Sequence, residues 1–328
     1  MPDLAHLIAD TPADREALAA LQEMPLPDLD VTLPCSDALL TRFLSIAVPF
    51  ADLNPLIAVA ARLRDGEGQE LLRLLAGGLV SAMGRPGAAL RLPSVPAAFV
   101  DPPGYVHLYA SLMVLPHVRR FHEQHGVDAV TSWRTLTDIG RNVAIYRDRR
   151  GVGGFDEVGW IRHHLTGCLY DLGRLQFERA RLGSTFARLM QEDGHDVAPG
   201  EPVISVHIPR FAGPLQADLV DEAFDRARTF FPGRFPDEAP RYFVCSSWLL
   251  DPVLADYLPG RSNILNFQRR FTIRRSDEPD DDGTLLFVFG NPDLPRESYP
   301  RTTSLERGIL ARLDAGEHWH GGRGWLPL

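Results

Sequence analysis

The segment from Glu201 to Tyr257 constrains this chain most. Pro202 to Pro209 (PVISVHIP) reads as a β-strand, and Arg210-Phe-Ala-Gly213-Pro-Leu215 as a short loop. An amphipathic helix follows, with Leu219, Val220, Ala223, Phe224, Ala227 and Phe231 on the face that must pack on a sheet. A second strand, Arg241 to Ser246 (RYFVCS), and a second helix carrying Tyr257 complete the unit. An arginine and a glycine between a strand's end and a helix's start can hold a pyrophosphate. The first backbone N–H groups of a helix are unpaired and its dipole is positive there.

A length of 328 residues is enough for two domains with separate cores. The net charge of −9 argues against a nucleic-acid groove. No apolar run approaches the length of a membrane span, so no membrane partner is expected. The acidic, mixed opening MPDLAHLIADTPADRE lacks the basic start and apolar core of a secretion leader. With three distant cysteines, Cys35, Cys168 and Cys245, it points to a reduced, cytoplasmic setting. All 34 basic residues are arginine. The absence of lysine removes Schiff-base and pyridoxal-phosphate chemistry and the usual phosphate-loop NTPase.

The first 126 residues read as helices. Thr11-Pro12 forms an N-cap and first turn before Ala13–Met24, and Ser36 caps a helix running to about Val48. Pro55–Arg64, Gln69–Met83 and Tyr105–His125 continue the helical spacing, interrupted by the proline-rich loop Leu92–Gly104. Beyond Gly126, helices are expected over Trp133–Arg150 and Phe155–Tyr170, and a strand over Gly173–Leu182. After the central unit, Ile264–Arg274 and Thr284–Phe289 read as strands around an acidic loop, Ser276–Gly283. Ser304–Ala315 reads as a helix and His318–Trp325 as a terminal strand or loop. The expected class is α+β, an all-helical N-terminal domain at 1–126 followed by a mixed-sheet domain with flanking helices at 127–328.

No metal is expected. His122-Glu-Gln-His125 has a poor spacing for two ligands on a helix and no third ligand, and His163-His164 point apart. His318-Trp-His320 could present two imidazoles on one strand face, without a cysteine pair in support. There is no G-x-S-x-G elbow and no strand-linked G-x-G-x-x-G. Cys245, at a strand's end, could serve as a nucleophile near His207 and Asp251, although a free strand cysteine is more often buried.

Several stretches together resemble a family of bacterial acyltransferases with a helical N-terminal domain and a GNAT-like C-terminal domain. They are Leu172-Gly-Arg-Leu-Gln-Phe-Glu178, Val206-His-Ile-Pro209, Cys245-Ser-Ser-Trp-Leu-Leu-Asp-Pro252, Ser262-Asn-Ile-Leu-Asn-Phe-Gln-Arg-Arg-Phe271, and His318-Trp-His320 with Gly324-Trp325. The resemblance implies an acyl-coenzyme A co-substrate with its pyrophosphate at Arg210, Gly213 and Leu215. Its thioester would lie against a backbone N–H near Val206 or Ile208. It also implies a base at His207 or Glu178 and a general acid at Tyr257, acting on a small-molecule or peptide amine. The loop departs from the family pattern, since Pro214 removes one N–H and Leu215 replaces a small residue. That departure keeps open a non-catalytic protein that retained the fold. A monomer or a homodimer fits equally well.

Overall fold

The computed structural model describes residues 4–328; the first three residues of the acidic opening lie outside the described residues. The chain divides into two compact units, one ending at Tyr170 and the other spanning Asp171–Leu328.

The first unit is helical. It comprises α1 (Pro12–Glu23), α2 (Ser36–Ser45), α3 (Phe50–Leu63), α4 (Gly66–Ser81), α5 (Tyr105–Gln124), α6 (Ala129–Leu136), α7 (Asp138–Arg150) and α8 (Val158–Leu165). Thr11 caps α1 as its sequence predicts, its side chain accepting from the Asp14 N–H. Every residue from Tyr105 to Leu115 is buried, so the first three turns of α5 are enclosed on all sides by this unit. Asp52, fully buried at the start of α3, is matched by Arg147 of α7, whose Nε and Nη2 donate at 2.9 and 2.7 Å.

The unit boundary falls later than the 126/127 division expected from sequence. The physical reason is that α6 and α8 pack on α5, and α8 also on α4. The single helix expected over Trp133–Arg150 is two, α6 and α7, meeting at Thr137. The helix expected over Phe155–Tyr170 stops at Leu165. There the Cys168 N–H returns to the His163 carbonyl, a helix-closing bond, and the chain leaves as β1 (Leu169–Asp171).

The second unit contains β2 (Gln176–Arg181), α9 (Ser184–Glu192), β3 (Pro202–His207), α10 (Ala217–Arg234) and β4 (Tyr242–Ser247). These are followed by α11 (Asn263–Gln268), β5 (Thr272–Pro279), α12 (Asp281–Phe289), α13 (Ser304–Asp314) and β6 (His320–Pro327). The sheet is six-stranded and mixed, in the order β1-β2-β3-β4-β6-β5. The pairs β2–β3, β4–β6 and β5–β6 are antiparallel, and β3–β4 is parallel. The helix α10 makes the crossover between the parallel pair, as parallel neighbours require. It packs through Phe224 against Phe177 and Phe243, with ring centroids 5.6 and 5.1 Å away. On the other face, Ala187 and Met190 of α9 join Val203, Val244 and Trp325 in a second apolar cluster.

One expected strand is a helix, and another begins as one. The run Thr284–Phe289 is rich in strand-favouring residues, yet Asp280 caps α12 by accepting from the Gly283 N–H and Gly290 closes it in a left-handed conformation. Leu285 is buried there with Leu254, Ile309 and Trp319. Of Ile264–Arg274, the first part is α11, capped by Ser262, and only Thr272 onward is strand. The acidic loop Ser276–Gly283 is therefore the end of β5 and the start of α12. The terminal strand β6 forms as expected. At Gly322, a Cβ would run into the carbonyl of Leu250, so the strand can approach that turn only as glycine.

Candidate active site

The site grows from the divergence of β3 and β4. The two strands pair at Ile204↔Phe243 and Ser205↔Val244, although they continue to His207 and Ser247. Beyond Ser205 the ladder ends, and the strands open toward their carboxyl ends. An extended arm can enter such a split and bond the exposed edges as a strand would. Val206 and Ile208, the predicted thioester contacts, lie in this opened segment.

A cavity of about 370 Å³ stands at the mouth of the split. Ile208 to Arg210 and Gly213 to Leu215 form one wall, and Trp248 and Leu249 after β4 form another. Ser262 to Ile264 at the start of α11, Phe287 of α12, and Ser304 and Leu305 of α13 complete it. Among these lining residues the only charged groups are Arg174 and Arg210, in a chain of net charge −9. The predicted loop residues Arg210, Gly213 and Leu215 thus meet at one open site.

The loop itself is shaped for this. Arg210–Ala212 form a single 3₁₀ turn, and Gly213 has φ 78° and ψ −164°, a conformation nearly restricted to glycine. Gln216 gives α10 no side-chain cap, and the first α10 N–H to reach a carbonyl is that of Val220, bonded to Gln216 at 3.0 Å. By contrast, Ser262 caps α11 and Thr303 caps α13 in a capping box with Glu306. Of these three helix starts, only α10 has no side-chain cap.

His207 and Glu178 come together. They lie on adjacent strands and on the sheet face opposite Val206, with His207 Nε2 2.9 Å from Glu178 Oε2. Both are partly exposed. Tyr257 stands apart from the cavity wall. It is not on a helix but ends the 3₁₀ turn Pro252–Asp256, and its ring packs edge-on against Trp319 at 5.5 Å. Cys245 is buried, and burial pushes its thiol up to about 12. It is therefore a neutral thiol near pH 7, unsuited to nucleophilic attack.

The histidine pairs are occupied in packing. His122 is buried with Nδ1 2.7 Å from the Ser132 hydroxyl, and burial pushes it down to about 3. His318 pairs with Asp281 at 2.6 Å and His320 bonds the Ser276 carbonyl at 2.8 Å. Among the described residues no cluster of three metal-ligating side chains exists.

Gln268 and Arg174 escaped the sequence reading, and Asp251 entered it only as a possible partner of Cys245. Asp251 is fully buried; its carboxylate accepts from the Val253 N–H, Arg275 Nε and the His320 N–H at 3.0–3.1 Å. Gln268 Nε2 donates to the carbonyls of Leu249 and Asp251 at 2.7 and 3.0 Å. Together they fix the Trp248–Leu249 wall. Arg174, in the turn before β2, donates from Nε to the Pro214 carbonyl at 3.0 Å and from Nη1 to the Pro209 carbonyl at 3.4 Å. Asp251, Gln268 and Arg174 all lie inside the quoted family stretches, which was the one available signal.

The chain matches the GNAT-like C-terminal domain over residues 169–326 and the N-acyltransferase N-terminal domain over residues 37–167. No curated protein sequence matches it. Among solved structures it is similar to an acyltransferase mutant in complex with octanoyl-CoA. The identity is 34%, coverage is 99% of this chain and 98% of that one, and the TM-score is 0.87. An acyltransferase in complex with decanoyl-CoA matches at 33% identity, with the same coverage and TM-score. An acyltransferase in complex with decanoyl-CoA and teicoplanin matches at 33% identity, covering 97% and 96%, with a TM-score of 0.83.

Proposed function

For a chain that belongs to the two-domain acyltransferase family with an N-acyltransferase N-terminal domain and a GNAT-like C-terminal domain, we propose direct acyl transfer from a medium-chain acyl-CoA to an amine. The observation that carries this reading is the open cavity on the Arg210–Leu215 loop, lined also by the residues that directly follow β3 and β4. The diphosphate of the coenzyme sits at the uncapped start of α10. The pantetheine arm extends between β3 and β4, and the thioester carbonyl is polarised by a backbone N–H of Val206 or Ile208.

His207, with Glu178 behind it, removes the proton of the attacking amine. With Nε2–H donated to Glu178, the accepting lone pair is on Nδ1, and the carboxylate stabilises the imidazolium that forms. The amine nitrogen bonds to the acyl carbon, the C–S bond breaks, and the thiolate departs. Tyr257 is proposed to protonate that thiolate; its seat against Trp319 means this step needs the ring to reach the cleft. The lining by Trp248, Leu249, Ile264, Phe287 and Leu305 suits an apolar chain. Relatives bind octanoyl-CoA, decanoyl-CoA and teicoplanin, which makes these the first donors and acceptor to try.

The test is calorimetric titration with acetyl-, octanoyl- and decanoyl-CoA, followed by thiol release in the presence of amines. Micromolar binding of the longer thioesters supports the reading, and no binding of any thioester rejects it. His207→Ala should lower kcat by about 10²–10⁴-fold. It should leave the acyl-CoA KM nearly unchanged; an unaltered kcat removes His207 from the chemistry.

A further inference from the structure

The sequence points to Arg210 as the cation that meets the coenzyme's phosphates. The structure redirects that role. Arg210 is exposed, where its field is weakened by water and salt. Arg174 is only 7% exposed and lines the same cavity. Its protein partners are two neutral carbonyls of the loop, and among the described residues no carboxylate pairs with it. No hydrogen bond from Nη2 to protein exists among the described residues. Burial alone pushes the group down from its ordinary value, with no opposing charge to restore it.

A buried, unpaired guanidinium is costly, and it is retained where something else supplies the anion. The uncapped N–H groups of α10 offer the complementary donors beside it. Because Arg174 holds the carbonyls of Pro209 and Pro214, it also spans the loop that carries Arg210 and Gly213.

We propose that Arg174 is the principal phosphate-binding cation of this site, spanning the Pro209–Pro214 loop from beneath and taking the diphosphate of the coenzyme from Nη2. The proposal rests on the acyl-CoA reading above and deepens it. It assigns the phosphate charge to a residue on the turn before β2, outside the strand–loop–helix unit. Filling the site removes the unpaired charge, so binding should be strongest for ligands that bring the diphosphate.

The experiment compares coenzyme A, 4′-phosphopantetheine and S-octanoylpantetheine by calorimetry on the full chain and on its Arg174→Gln, Arg174→Lys and Arg210→Ala variants. Arg174→Gln should weaken coenzyme A by about 30-fold or more, with Arg174→Lys recovering part of it and Arg210→Ala losing less. Affinity for S-octanoylpantetheine, which carries no phosphate, should be the same in all four proteins. Equal losses for both ligands, or a larger loss at Arg210→Ala, would overturn the proposal. Should Arg174→Gln not fold, the other two variants still decide: Arg174→Lys must lose more coenzyme A affinity than Arg210→Ala, and the reverse order refutes the proposal. If the unmodified chain binds no thioester and no coenzyme A, the functional reading itself fails.

Discussion

Replacing Asp251 by asparagine tests whether one buried carboxylate builds the cavity wall. Its Oδ1 accepts from the Val253 N–H at 3.1 Å and from Arg275 Nε at 3.0 Å, and Oδ2 accepts from the His320 N–H at 3.0 Å. Asparagine keeps one oxygen and turns the other site into a donor. Whichever way the amide faces, at least one buried N–H is left opposite an NH₂ group. Leaving such a group unsatisfied costs about 1–3 kcal/mol. The lost pairing with Arg275, whose side chain is 35% exposed, adds only about 0–1 kcal/mol.

The sum is about 1–4 kcal/mol, or roughly 2–16 °C in Tm for a unit of this size. Because Gln268 ties the Leu249 and Asp251 carbonyls together, the Trp248–Leu249 wall should move with the turn. The KM for octanoyl-CoA should rise by about tenfold, a typical result of a small misplacement. Urea unfolding followed by circular dichroism gives the first quantity and steady-state thiol release the second. The exposed carboxylate Asp293, changed to asparagine, serves as the control. A loss below about 1 kcal/mol together with an unchanged KM would refute the argument, because a buried donor cannot be orphaned so cheaply.

Gly213→Ala meets open space, so its whole effect is the backbone cost of about 1–3 kcal/mol at φ 78°. The urea midpoint should fall by that cost and the acyl-CoA KM should rise with it, and an unaltered KM would detach this loop from the coenzyme. Cys245, a neutral thiol in the folded protein, should carry no acyl adduct after turnover by intact-mass spectrometry. An adduct there would replace direct transfer by a two-step path. Burial pushes His122 down to about 3 and also lowers His107. The His122 contribution is complete above the unfolded pKa near 6.5 and is lost as pH falls toward 3, at up to about 1.4 kcal/mol per pH unit. His122→Asn should flatten the fall of the urea midpoint between pH 6 and 4, and an unchanged slope would mean that other groups govern the acid response.

Legibility followed the range of the interactions involved. The helix α1 was readable because Thr11 caps it from one turn away; α2 begins at Ser36 as expected, but Cys35 holds its N-cap position and no side chain caps it. The strand–loop–helix order around Gly213 was readable because β3, Gly213 and an amphipathic α10 are contiguous in sequence. α12 was not: Leu285, Leu286, Phe287, Val288 and Phe289 favour a strand locally, and burial of Leu285 with Ile309 and Trp319 overrides that preference. Tyr257 fell in the expected stretch, but a 3₁₀ turn aims its ring at Trp319.

By itself the sequence determined the two-part α+β plan, the crossover that sets β3 beside β4, and the residue types at the cavity's loop. Tertiary structure alone decided that His207 meets Glu178, that Arg174 reaches carbonyls 35 and 40 positions away, and that Asp251 and Gln268 brace the opposite wall. Local patterning follows from bonds along a few residues of chain. A binding site forms where distant segments bring unsatisfied donors and charges to one place, and no short stretch of sequence records that meeting.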